Sequence, residues 1–543
     1  MSYTNEMRES IKKVNATRAK RLHEEYPQLT LEERAKILSA FHPDHKDEAF
    51  RKITVGPSKG EKAPNEFVDV LESYPLESPD EIDLNTIDYD VDILIIGGGG
   101  GGSAASLWAH MNGANVLMCT KLRHGEANTM MAQGGIQAAV SETDSPQIHY
   151  LDILGGGHFD NFPELVEAMA NDAPGIIKWH EKLGVMYDKD EKNHMLIKHG
   201  GGTSRMRMHS ARDYTGAVIM RTLKDEMENR KIPVLEYTAA IDLLLDDEGK
   251  AAGALLWNME TKEYKIARAK AVIVATGGFG RLHIQNFPTT NHYGATADGL
   301  VMIYRAGVKL AFMDAVQYHP TGAIWPEQIV GLLVTEKVRG LGAQVLNIDG
   351  IQFTYPLEPR DVESAKIIKE CLEVKKGVPT PTGNIGVWLD SPLIELKLGK
   401  GAVKKNLPAM FRQYERFGID ISVDPILIYP TLHYQNGGGM INSDAETSVP
   451  NLFLAGEVAG GIHGRNRLMG NSLLDINVFG RRAGIAAAKR VKTVDIPKKL
   501  TFNHVKKYVE ELKSAKIPED RKSPVLLPDY SRIEKRVKRL SIF

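Results

Sequence analysis

The stretch from Val91 to His110, VDILIIGGGGGGSAASLWAH, constrains the fold more than any other part of the chain. An apolar run that stops at glycines reads as a buried parallel strand entering a tight turn. The small residues that follow read as a helix, and NVLMCT (115–120) reads as a second strand, which completes a βαβ unit. Gly97, Gly99 and Gly102 place the pattern GxGxxG in that turn. The first glycine permits the turn, the second lets backbone approach a pyrophosphate, and the third lets helix and strand pack closely. The helix start offers free N–H groups and a favourable dipole to phosphate. The second strand ends Cys119-Thr120-Lys121, with no acid to grip a ribose, which weighs against a plain NAD site.

Two later stretches have the same character. AKAVIVATGG (269–278) is again an apolar strand ending in glycines, and NLFLAGEVAGG (451–461) leads into the helical LLDINVFGRRAGIAAAKRV. Between His319 and about Leu432 the pattern is mixed, with helix-like VESAKIIKECLEVKK inside it. The chain is therefore expected to be α/β, a Rossmann-type domain interrupted by an α+β capping domain, with a ligand cleft between them. The expected division is an N-terminal extension (1–85), a first nucleotide-binding part (86–317), the cap (318–432), a second part (433–492) and a short helical C-terminal segment (493–543). The extension is charged, with helical periodicity in LTLEERAKILSAF, and reads either as a solvated appendage or as an arm that docks a partner.

A chain of 543 residues needs more than one core. Its net charge of −1 gives no reason to expect nucleic acid or an anionic membrane as partner. Two cysteines, Cys119 and Cys371, cannot supply the four thiolates of an iron–sulfur cluster, and no metal site is expected. No apolar run approaches the roughly 20 residues of a membrane span, and the start lacks an apolar signal core. The expected location is cytoplasmic, with membrane contact only through a partner complex on the inner face.

Several uncommon strings then occur in one order: AQGGI (132–136), ATGGFGR (275–281), ADG (297–299), QYHPTG (317–322), TEKVRG (335–340), PRD (359–361), PTLHYQNGG (430–438), AGEVAGGIHGRNRL (455–468) and NSLL (471–474). Through them the chain resembles the succinate dehydrogenase/fumarate reductase flavoprotein family, of which L-aspartate oxidase is a related branch. The resemblance implies FAD on the Rossmann-type domain, held by Gly97, Gly99, Gly102, Gln133, Gly134 and Gly135, with Glu457 at its ribityl chain. Asp298 and Ser472 match flavin-contact positions, and Thr120 and Lys121 are assigned to the same site. A helix start such as NSLL can stabilise negative charge on reduced flavin.

The resemblance also implies a dicarboxylate site made by His319, Thr335, His433 and Arg467, with Arg360 as the acid that protonates the substrate carbon. An arginine fork clamps a carboxylate through two charge-assisted bonds, and histidines and a hydroxyl add directional donors. Singly, such a histidine is more often a hydrogen-bonded core residue and such an arginine a surface ion pair. Their joint occurrence inside ordered strings reverses that reading.

Three departures stand out. Asn128 occupies the position of the histidine that links FAD covalently in respiratory members, and His124 lies four residues earlier; FAD is expected to bind without a covalent bond, which in this family favours fumarate reduction. Leu341, in RGLGA, stands where the family's RGEGG places a proton-relaying glutamate, which leaves Glu336 or Asp361 as nearby substitutes. The C-terminal segment is short and the N-terminal arm extra, which implies different partners, an iron–sulfur electron-transfer subunit first among them. Tyr187 falls near where the family places an aromatic against the substrate. The leading expectation is a fumarate reductase or succinate dehydrogenase-like catalytic subunit. The alternatives are an L-aspartate oxidase-like enzyme, a reductase of another enoate, and a flavin relay subunit with a silent substrate site.

Overall fold

The computed structural model describes residues 3–530. Its larger sheet takes β1 (Tyr89–Ile96), β2 (Val116–Cys119), β3 (Val234–Leu235), β4 (Thr238–Leu245), β5 (Ala251–Asn258) and β6 (Tyr264–Val274) in the spatial order β4-β5-β6-β1-β2-β3. From β6 to β3 the pairing is parallel, whereas β4, β5 and β6 form an antiparallel meander at the other edge. Parallel strands covered on both faces need unbroken apolar runs. Ile93, Leu94, Ile95 and Ile96 are all buried accordingly. Helix Gly100–Met111 crosses from β1 to β2 and packs along helix Asn471–Arg490.

A second, antiparallel sheet is made from the chain between these stretches: β7 (Val316–Ala323), β8 (Val345–Leu346), β9 (Val378–Pro379), β10 (Ile385–Leu389) and β11 (Ile426–Gln435). Its order is β7-β11-β10-β8, with β9 beside β10. Helix Arg360–Leu372 lies against β7 and β11. The chain then returns to the larger sheet, where β12 (Leu452–Leu454) pairs in parallel with the last residues of β6, beyond the point where β5 ends.

Part of the N-terminal arm packs against the second sheet of the same chain. Helix Asn5–Arg21 buries Met7, Ile11 and Val14, each worth about 1.5–3 kcal/mol relative to exposure. Tyr3 sets its ring edge-on to Trp388 of β10 at 5.3 Å, and the Trp388 indole donates to Ser10 Oγ at 2.8 Å. Arg18 and Arg21 both close on Asp390, at 2.8 Å each, and the Asp390 side chain is fully buried. Helix Leu31–Phe41 packs on helix Arg360–Leu372. A charged, helical sequence hid this because the buried positions are few and their partners lie more than 300 residues away.

At the other end, helix Asn503–Ser514 is followed by Lys522–Ser523, which pairs in parallel with Tyr74–Pro75. The helical expectation for residues 531–543 lies outside the described residues. No helix among the described residues is long and apolar enough to cross a membrane.

Candidate active site

The glycine turn after β1, the end of β2 and the turn after β6 open into one cleft. It holds about 1650 Å³ of empty space, part of it open to solvent. Gly97 adopts a φ of +120°, and a Cβ there would lie 2.3 Å from the Ala275 carbonyl oxygen, so only glycine carries the chain through this turn. Gly99 precedes the first turn of helix Gly100–Met111 and aims its N-terminus at the cleft.

Gly97, Gly99, Thr120 and Lys121 line this part of the cleft, as do Gln133, Gly134 and Gly135 of the loop after helix Asn128–Met131. Asp298, Glu457 and Ser472 line it too. Gly102 does not. It sits inside the helix, where a Cβ would lie 1.9 Å from the Gly97 carbonyl oxygen, and its work is packing rather than ligand contact. Lys121 Nζ donates to Asp298 Oδ2 at 2.5 Å and to the Leu526 carbonyl at 2.5 Å, while the Leu526 N–H donates to Asp298 Oδ1 at 3.1 Å. The C-terminal segment thus reaches the wall of the cleft, a contact no local pattern announces.

The residues fit the FAD that the sequence implies. A helix N-terminus faces the cleft, and buried Gln133 Oε1 and Thr276 Oγ1 have no hydrogen-bond partner among the described residues. Buried polar atoms of this kind are normally satisfied, so their position in a cleft marks a ligand surface. Burial raises the Glu457 carboxyl to about 7 against the donation of the Gln435 N–H at 3.1 Å. Asn128 also lines the cleft; its side chain donates to Asn291 Oδ1 at 2.7 Å and accepts from the His292 N–H at 2.5 Å. His124 is bonded through Nε2 to Ser103 Oγ at 2.9 Å.

At the end of the cleft facing the second sheet, His319, Thr335, Arg360, His433 and Arg467 converge. His319 and His433 come from the paired strands β7 and β11, with ring centroids 4.9 Å apart. His319 Nδ1 lies 3.2 Å from the amide nitrogen, the carbonyl oxygen and the hydroxyl of Thr321 alike. His433 Nδ1 pairs with Thr290 Oγ1 at 2.6 Å. Burial first, then the Arg360 charge, holds both imidazoles well below the usual histidine range, so both are neutral. Arg467 lies over the Tyr434 ring at 4.3 Å.

The residue that ties this end together was not singled out from the sequence. Gln317 Oε1 accepts from Arg360 Nη1 at 3.0 Å and from Arg467 Nη2 at 2.9 Å. Its amide nitrogen donates to the Arg467 carbonyl at 2.7 Å and to Asn466 Oδ1 at 3.1 Å, which fixes the oxygen toward the two guanidinium groups. Gln317 stands two residues before His319 in QYHPTG, on the same strand face. Only that period-two relation could have pointed to it.

Of the two carboxylates that stand near Leu341 in the sequence, only Glu336 meets Arg360. Glu336 Oε2 accepts from Arg360 Nε at 2.8 Å, and its other oxygen accepts from the Gly201 N–H at 2.8 Å. Burial would raise Glu336, but Arg360 and Arg339 outweigh it and hold the carboxyl below its usual value. Asp361 turns away to His158 Nε2 at 2.7 Å. Leu341 packs against the apolar core. Tyr187 does not reach the cleft; its hydroxyl pairs with His180 Nδ1 at 2.7 Å, and His180 Nε2 with Asn477 Oδ1 at 2.9 Å.

Residues 92–473 match the FAD binding domain family. One component of the fumarate reductase (CoM/CoB) of Methanothermobacter marburgensis is 35% identical over 430 residues, 78% of this chain and 76% of that protein. The succinate dehydrogenase flavoprotein subunit of Rickettsia bellii is 31% identical over 452 residues, 78% and 74% of the two chains. Among solved structures, a mutant of the E. coli quinol fumarate reductase superposes with a TM-score of 0.70 at 28% identity, covering 79% of this chain and 74% of that one. With that match spanning most of its length and these residues meeting in one cleft, the chain belongs to the FAD-binding succinate dehydrogenase/fumarate reductase flavoprotein family.

Proposed function

We propose that this chain is the catalytic flavoprotein subunit of a fumarate reductase or succinate dehydrogenase-like complex, reducing fumarate to succinate at the Arg360–Arg467 end of the cleft. The observation that carries the reading is the pair of buried guanidinium groups held on one Gln317 oxygen. Burial presses both arginines below the ordinary guanidinium range, with the Arg339 charge adding to it at Arg360 and the Arg360 charge at Arg467. A dianionic ligand relieves that repulsion, and a neutral or cationic one does not.

Arg467 takes one carboxylate, with the neutral His433 beside it. His319 and the Thr335 hydroxyl hold the other and orient it. Bound FAD supplies the hydride. Arg360 gives the proton to the adjacent carbon, its Nε side held by Glu336 and its Nη1 by Gln317. A guanidinium is an unusual acid. Here burial lowers its hold on the proton, and exclusion of water keeps the transfer local. The second sheet, with β7 and β11 carrying two of the clamps, acts as the cap over the substrate. Asn128 makes no covalent flavin bond, so FAD is held by contacts alone. Electrons reach the site from a partner subunit that carries iron–sulfur clusters.

The test is anaerobic. FAD-loaded protein is reduced with a viologen, fumarate is added, and flavin reoxidation and succinate are followed. Parent protein is expected to turn over, Arg360→Ala to keep FAD and lose turnover, and acid precipitation to release FAD into the supernatant. Absence of turnover in FAD-replete parent protein rejects fumarate, and reduction of the flavin by L-aspartate instead would place the chain with the L-aspartate oxidases.

A further inference from the structure

After pairing Lys522–Ser523 with Tyr74–Pro75, the chain runs back along the outside of the cofactor end of the cleft. Its polar contacts there fall on residues that line the cleft, and Leu526 is their centre. The Leu526 carbonyl accepts from Lys121 Nζ at 2.5 Å and its N–H donates to Asp298 Oδ1 at 3.1 Å, so one residue's backbone closes on both members of the Lys121–Asp298 ion pair. Thr296 Oγ1 lies 3.0 Å from Asp298 Oδ1 and 3.1 Å from the same carbonyl. The Leu526 side chain is buried in a small core that it shares with Ala239 and Ile241 of β4, and Ala239 also lines the cleft. Two tyrosines fasten the rest of the segment. The Tyr293 hydroxyl donates to the Pro528 carbonyl at 3.0 Å, and the Tyr530 hydroxyl pairs with His283 Nε2 at 2.7 Å.

Leu526 holds this position at a φ of +60°. The left-handed region is unfavourable for a leucine and persists only where the surroundings over-determine it. What the bend provides is aim, since it turns both polar groups of one residue onto two charges. An ammonium and a carboxylate withdrawn from water need such partners. The Lys121 side chain is 17% exposed and that of Asp298 is 6% exposed. The loop that ends at Asp298 is held on two sides. From the cleft, the Asn128 side chain donates to Asn291 Oδ1 and accepts the His292 N–H. From outside, Tyr293, Thr296 and Asp298 meet the segment 526–530. A segment that merely covered apolar core would have no use for the charged pair in the cleft wall.

We propose that residues 525–530 form a strap that retains FAD, by holding Lys121, Asp298 and the loop 291–298 in the arrangement that lines the cofactor end of the cleft, and that the strap undocks before FAD leaves. The inference rests on the reading above that FAD is held by contacts alone, and it names the segment that supplies the retention a covalent bond would give. The coupling is reciprocal: bound FAD stabilises the docked strap by the same factor by which the docked strap tightens FAD. The strap acts only through Lys121, Asp298 and their loop.

The experiment compares FAD-loaded protein as the full chain, stopped after Tyr530 and stopped after Ser523. The shortest form keeps the pairing of Lys522–Ser523 with Tyr74–Pro75 and the bond from Arg305 to Ser523 Oγ. FAD release is followed on dilution by the fluorescence of free flavin, and acid precipitation checks that FAD enters the supernatant. Stopping after Ser523 is expected to speed release on the order of tenfold or more, and stopping after Tyr530 to leave it within about twofold of the full chain. In the full chain, amide hydrogen exchange over 525–530 is expected to be on the order of tenfold slower with FAD than in the FAD-stripped protein. Release from the Ser523 form within about twofold of the full chain overturns the strap. So does release that is already fast in the Tyr530 form, which assigns retention to later residues. Should the Ser523 form not fold, exchange over 525–530 that is the same with and without FAD overturns it equally. FAD that stays with the acid-precipitated protein refutes retention by contacts alone, and the strap with it.

Discussion

Replacing Gln317 with methionine tests whether the substrate end is organised as described. Methionine keeps the length of the side chain and removes the amide. The change deletes two hydrogen bonds to guanidinium groups, at 3.0 and 2.9 Å, and two donations from the amide nitrogen. A hydrogen bond to a charged group is worth about 1.5–3 kcal/mol, so the two arginine bonds set a ceiling of about 3–6 kcal/mol. A bound dicarboxylate replaces part of that loss, because it neutralises the same two charges. About half the ceiling should therefore remain in the transition state, about 1.5–3 kcal/mol, or roughly 13- to 160-fold in kcat/KM. The assay is steady-state fumarate reduction with a viologen donor, with bound flavin quantified by absorbance so that cofactor loss is not mistaken for a substrate effect. Flavin content should be unchanged, since Gln317 is not among the residues lining the cleft beside the glycine turn. A kcat/KM within about twofold of parent, in FAD-replete protein, would refute the argument that this oxygen holds the two arginines in register.

Two further predictions concern stability. Asp390→Asn leaves Arg18 and Arg21 without their buried counter-charge and should cost about 3–5 kcal/mol, read as a lower urea midpoint and early proteolysis of the N-terminal helix; a change under about 1 kcal/mol would mean the arm is held by apolar contact alone. His319 and His433 have folded-state values well below the ordinary one, so the unfolded chain binds protons that the folded chain refuses. Their contribution is complete above about 6.5 and is lost as pH falls, by about 1.4 kcal/mol for each ring at pH ~5.5. Urea unfolding at the two pH values should show this loss in parent protein and much less of it in a His319→Gln/His433→Gln double variant, whereas equal slopes would show that other groups set the acid limit.

Local sequence carried the nucleotide-binding half of this protein almost unaided. A buried parallel strand must be apolar throughout, the turn at Gly97 admits no Cβ, and a helix must start just after it, so a few consecutive residues report the fold there directly. The proposed clamps His319, Thr335, His433 and Arg467 and the proposed acid Arg360 were legible only as members of ordered strings, since no single one of them has a local signature. What neighbours each functional group has was beyond reach of the pattern. Glu336 rather than Asp361 meets Arg360, Gln317 bridges two arginines that are 107 residues apart, and Gly102 serves packing alone. The N-terminal arm, which reads as a solvated appendage or a partner-docking arm, supplies the pair of arginines on Asp390. Backbone geometry is set by short-range sterics and hydrophobic period, which the sequence displays. The charge environment of a buried group depends on side chains brought in from hundreds of residues away, and that is decided only when the two sheets and the arm have packed together.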